Sequence, residues 1–185
     1  MASTSRWLLS LSAVCVFTAF ISCSSTQPAA DSAQTERSVP ALYPGWYLSS
    51  GFESDSLQFF GTGTSISGDS LTAAQSAEQQ ARINLGKALG NQLEEARATF
   101  TESGNADGNQ KDFILILREA GTLTETAAEL DVVEVRSIRN GFRAFSRVTL
   151  TKAEARKALE RGFTGHPRYW SGFSGSDGFK AIIGE

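Results

Sequence analysis

Residues 57–100 constrain this fold more than any other part of the chain. Leu57, Phe59, Gly61 and Gly63 alternate as a strand does, a Gly, Asp and Ser turn follows, and an alanine-rich helix comes next. Ala74, Ala77, Ala81, Leu85, Ala88, Leu89, Leu93, Ala96 and Phe100 recur every three or four residues and so share one helical face. The first half of that face is small, which lets a sheet or a second helix come close. Thr72 and Gln75 have capping-box spacing: a Thr oxygen takes a free backbone N–H and a Gln three residues on reaches back. The helix is therefore expected over 72–103. Gly86 and Gly90 each weaken it by roughly 1 kcal/mol relative to Ala, so they either pack against something close or mark a bend.

Downstream, 110–130 reads as helix with an irregularity at Gly121 and Thr122, although its apolar run 113–117 also suits a buried strand. Residues 131–139 and 142–150 flank Asn140-Gly141, the strongest short hairpin signal, because a type I′ turn needs positive φ twice. A loop of those two residues sets Arg139 opposite Phe142, Glu134 opposite Arg147 and Val133 opposite Val148. One hairpin face then carries Val133, Val135, Ser137, Ala144, Ser146 and Val148, small enough to receive the helix. The other carries Val132, Glu134, Arg136, Ile138, Arg143, Phe145, Arg147 and Thr149. Thr151 and Glu154 form a second capping box, starting a helix over 152–161 that Gly162 can close. The pattern predicts an α+β fold. A small antiparallel sheet (strand 57–66 plus hairpin 131–150) packs on the long helix 72–103, with further helices near 110–130 and 152–161.

Organisation along the chain is also legible. Arg6 precedes 7–21, fifteen mostly apolar residues. A spanning helix needs about 20, so this length suits a signal-peptide core. Ser22 and Cys23 end it, with Phe20 where Leu is usual, and the stretch resembles the lipobox of bacterial lipoproteins. That resemblance implies lipidation of Cys23 and a signal peptide over 1–22, and Ser24 after the cysteine resembles lipoproteins sent to the outer membrane. An ordinary signal peptide cut nearby would instead leave Cys23 a lone thiol. Cys15 and Cys23 are the only cysteines, so no disulfide can brace the rest of the chain. Residues 23–39 read as a flexible tether, fifteen residues of which span about 20 Å. Residues 40–162 form the domain and 163–185 a Gly- and aromatic-rich tail. That tail is either a contact sequence for a partner or a strap over the domain's own core.

Pro44-Gly45-Trp46-Tyr47, then Phe60, Gly61 and Gly63, then Ala74, Ala77, Ala81 and Arg82 resemble the twenty-kilodalton outer-membrane lipoprotein family over 40–159. That family includes lipoproteins associated with the flagellar basal body. The resemblance implies an α+β periplasmic module on an outer-membrane anchor, with no catalytic residues to carry over.

Several apparent chemical motifs fail on their own chemistry. Gly63 to Gly68 has P-loop glycine spacing, but Asp69 stands where the lysine is required and would repel phosphate. Asn105, Asp107 and Asn109 resemble part of a calcium loop whose twelfth position is Ile114 instead of a bidentate Glu. One histidine, His166, precedes Pro167 in the tail, which leaves His/Cys metal sites and Cys–His catalysis without partners. Ser174 misses the nucleophile elbow because Ser176 replaces its last glycine. Neither enzymatic activity nor a cofactor nor nucleic-acid binding is expected.

Charge is divided along the chain. Residues 24–135 hold 6 Lys/Arg against 16 Asp/Glu, and 136–185 hold 10 against 4. Attraction between two halves of one fold, docking on an anionic surface and head-to-tail self-association all suit this. The candidate interface residues are Arg136, Arg143, Phe145, Arg147, Tyr169 and Trp170, with an exposed Phe145 ringed by arginine at its centre. The expected function is a non-enzymatic structural or assembly role, membrane-bound through its lipid, with self-association or an envelope complex as partner. The alternative is a periplasmic binding module for a small ligand or cell-wall component, lined by the aromatic tail.

Overall fold

The computed structural model describes residues 42–185. The signal, lipidation and tether expectations over 1–39 fall outside the described residues. In order come β1 (Phe52–Ser54), β2 (Gln58–Ser67), α1 (Ser70–Glu102), a 3-10 turn (Ala106–Asn109) and α2 (Lys111–Ala127). Then follow β3 (Glu129–Ile138), β4 (Gly141–Thr151), α3 (Lys152–Gly162), α4 (Pro167–Ser174) and α5 (Asp177–Ile183). The strands form one antiparallel sheet in the order β1-β2-β4-β3. The fold is α+β, with the long helix on one face of the sheet. Residues 110–127 hold no strand, because Phe113, Ile116, Leu117 and Ala120 bury one side of a continuous α2. β1 was not expected: Asp55 Oδ1 accepts from the Leu57 and Gln58 amides (2.7 and 2.8 Å) and so turns the chain between β1 and β2.

α1 begins two residues before its expected start. Its N-cap is Asp69, whose carboxylate accepts from the Thr72 amide (2.8 Å) and hydroxyl (3.0 Å). The buried stripe is Ala73, Ala77, Ala81, Leu85, Gly86, Leu89, Leu93, Ala96 and Phe100, so Ala73 and not Ala74 lies innermost. Side-chain size along it sets the shape of the core. Opposite Ala77 and Ala81 the sheet presents Gly61 and Gly63, whose missing side chains leave room for the helix backbone itself. Further along, Leu85, Leu89 and Leu93 meet Phe59, Val148 and Leu150, and the helix ends in a cluster built on Phe100 and Phe113. Gly86 lies under the Glu125 side chain, while Gly90 faces open space, and α1 runs continuously through both. Arg82 ties α1 to the end of α2: it pairs with Glu78 (2.7 Å) and donates to the carbonyls of Glu125 (3.1 Å) and Ala128.

The hairpin exists, but its loop is Arg139–Asn140 and its closing pair is Ile138↔Gly141. Glu134 therefore stands opposite Phe145, Arg136 opposite Arg143 and Val133 opposite Ser146, not opposite the residues that an Asn140-Gly141 loop would give. Gly141 enters the ladder with φ 140° beside the Ser67 carbonyl, where a Cβ would overlap it. Moving the loop by one residue moves each pairing by two, so the division into two faces is unchanged. The Thr151 cap holds as expected, its Oγ1 accepting from the Glu154 amide (3.1 Å). Gly162 is the last residue of α3 and not its cap, because it passes directly over Ala120 of α2.

Candidate functional site

The sheet face turned away from α1 carries a cluster of aromatic rings and guanidinium groups. Strand alternation delivers Phe60 and Thr62 from β2, Arg143, Phe145 and Arg147 from β4, and Glu134 and Arg136 from β3. Residues 43–47 lie across them. Tyr43 and Tyr47 stack on each other (5.3 Å) and both meet Phe145 edge-on, at 5.8 and 5.3 Å. Arg136 covers the same ring at 5.4 Å, and Arg147 lies between Trp46 (5.7 Å) and Phe60 (5.6 Å). Phe145 is consequently 0% exposed. The exposed aromatic expected there is absent, since the 43–47 segment covers it, and Phe145 serves the fold instead of offering a contact. Thr62, also buried, donates its hydroxyl to the Leu48 carbonyl (2.7 Å) and holds that segment down.

Arg136 and Arg147 of this face are engaged locally. Arg147 pairs with Asp131 and Arg136 with Glu134, each at 2.6 Å. With Arg168 to Asp107 at 3.3 Å, these pairs join cations of the basic half to carboxylates of the acidic half. Each is partly solvated and contributes little to stability on its own. Burial pushes the Tyr47 phenol above its ordinary value, and Tyr43 adds to the shift. Asp55 and Asp69 lie below the ordinary carboxylate value because backbone amides donate to them. Those two are turn and cap residues, so their shifts come from chain geometry.

Tyr169 and Trp170 do not join the arginine cluster. The tail folds into α4 and α5, and Phe163 and Phe173 enter the main core against Phe100 and Phe113, with Phe179 against Phe173. Trp170 packs on Phe163 (5.5 Å) and Phe179 (5.4 Å). Tyr169 meets Phe113 edge-on and donates its hydroxyl to Gln110 Oε1 (2.5 Å). Phe163 and Trp170 also line a hollow of about 400 Å³, with Glu160, Thr164, Gly165 and Pro167. His166 is exposed at the start of α4, stacked on Tyr169. Among the described residues no group of three His, Cys, Asp or Glu could hold a metal ion.

A groove of about 330 Å³ lies between α1 and α2, lined by Gly86, Gly90, Leu93, Leu117, Arg118 and Glu125. Of the two α1 glycines in it, Gly90 faces open space and Gly86 lies under Glu125. Glu94 at its rim pairs with Arg97 (2.7 Å) and lies 3.5 Å from Arg118. Comparison of the chain with protein-family models, curated proteins and solved structures finds no match in any of the three.

Proposed function

We propose that the protein is an outer-membrane-anchored periplasmic lipoprotein with a non-enzymatic structural or assembly role in an envelope or flagellar-associated complex. The observation that carries this is the order of the first 23 residues: Arg6, the apolar stretch 7–21, then Ser22 and Cys23. The non-enzymatic part is supported by the partners of three chemically capable groups. Asp55 and Asp69 serve turns and caps, and the one histidine lies on the surface against a tyrosine. Among the described residues no helix is long and apolar enough to cross a membrane. In this reading the bilayer contact is acyl chain, at about 0.8 kcal/mol per buried CH₂.

Cys23→Ser is expected to move the protein into the aqueous phase of a detergent separation, while the wild type stays with the detergent. If the variant still fractionates with membranes as the wild type does, lipid attachment at Cys23 is not what holds it.

A further inference from the structure

β3 is an edge of the sheet, and among the described residues no strand pairs with its outer side. Free N–H and C=O groups on such an edge template pairing with another chain, so edge strands are commonly short, bulged or charged. β1, the other edge, is short, Phe52–Ser54, whereas β3 runs Glu129–Ile138 with its bulge confined to one end, between Leu130 and Val132. A two-residue loop closes on a pair that exchanges both backbone bonds, and the pattern alternates from there. Ile138, Arg136, Glu134 and Val132 thus turn their backbone groups to β4, and Ser137, Val135 and Val133 turn theirs outward. α1 lies mainly over β2 and β4, leaving Val133 and Val135 43 and 40% exposed on the helix side of this edge.

We propose that this edge pairs with the same edge of a second copy, antiparallel about a two-fold axis at Val135. The two four-stranded sheets then become one continuous sheet. Charge selects the register. An axis at Glu134 sets that carboxylate against its own copy, and an axis at Arg136 brings two guanidinium groups together, both unfavourable. An axis at Val133 sets Arg136 opposite Leu130, at the bulge, and pairs no charges. An axis at Val135 sets Glu134 opposite Arg136 twice, Val132 opposite Ile138 twice and Val133 opposite Ser137 twice, with Val135 against its own copy. Glu134 and Arg136 already pair within the strand at 2.6 Å, and the guanidinium lies over Phe145 at 5.4 Å. Two copies therefore bring four alternating charges into one closed ring. Such a contact is isologous, uses one patch on both subunits, and closes at a dimer. It deepens the assembly role proposed above, and it does not require the lipid.

The test uses the full chain under mild oxidation. Val135→Cys is expected to give a covalent dimer whose peptides are joined through position 135. Val133→Cys is expected to give none, because its copies stand about 13 Å apart along the strands at this register. Glu134→Arg and Arg136→Glu should each weaken association about tenfold or more, and the two together should restore it to within about threefold. Circular dichroism checks that each variant is folded. A double variant as weak as the singles, or linkage through 133 in place of 135, overturns the register. Oligomers by light scattering without linkage at either position overturn the pairing and leave the assembly role standing. A wild-type chain monomeric at high concentration overturns both.

Discussion

Two glycines on β2 set how near the sheet and the long helix come. At Gly63 an added Cβ would overlap the Ala77 carbonyl and the Ala81 amide, and at Gly61 it would reach Leu85 Cβ at 2.7 Å. These obstacles are backbone or helix-facing core atoms and cannot swing aside. Gly63→Ala is therefore expected to cost at least about 2 kcal/mol by forcing helix and sheet apart. Gly90→Ala, with no atom within 4 Å of its new methyl, should instead stabilise by up to about 1 kcal/mol through helix propensity. Urea unfolding midpoints measure both, and shifts of the same sign at the two positions would contradict this packing. Phe145 shows the limit of residue-level reading. Alternation tells which sheet face a ring occupies, and it says nothing about Tyr43 and Tyr47, about a hundred residues earlier, lying over it.

At the scale of the element, α1 starts at a cap that its sequence pattern did not single out. Thr72 with Gln75 fits a capping box, but Asp69 brings a charged acceptor to the positive end of the helix and uses Thr72 as its donor. The carboxylate takes the cap. Its folded pKa lies below the ordinary value near 3.8. The cap therefore stabilises fully above that ordinary value, and its contribution disappears as pH falls through the folded one. Asp69→Asn, which keeps an acceptor but does not titrate, is expected to flatten this part of the acid limb of a melting-temperature profile. Asp69→Ala should lower the melting temperature at neutral pH. An acid limb identical in wild type and Asp69→Asn would show that the cap is not titrating there. The hairpin loop was displaced for a tertiary reason. Asn-Gly suits a type I′ turn, but Gly141 is needed in the ladder, where Ser67 leaves no space for a side chain.

Across the whole molecule, the last 23 residues are core and not appendage. Phe163 and Phe173 are buried against rings of α1 and α2, and Phe179 is buried against Phe173 and Trp170. Phe173→Ala is expected to destabilise by roughly 3–5 kcal/mol, the cost of a large cavity among aromatic neighbours. Tyr169→Phe, which loses only the hydroxyl bond to Gln110, should cost no more than about 1.5 kcal/mol. Thermal unfolding followed by near-ultraviolet circular dichroism separates the two. Comparable, small losses at both positions would mean that the tail rests on the core without completing it.

The sequence by itself determined the α+β class, the long helix and its small-to-large face, the hairpin with its two faces, and the Thr151 cap. Helical and strand periods and capping bonds are local, set by residues within a few positions of one another. Only the tertiary structure decided that 43–47 cover Phe145, that the tail aromatics turn inward, that the hairpin loop shifts by one residue, and that the outer edge of β3 has no partner among the described residues. Each of these depends on which surfaces, distant in the chain, bury one another, and the periodicity of a single segment carries no record of what will lie against it.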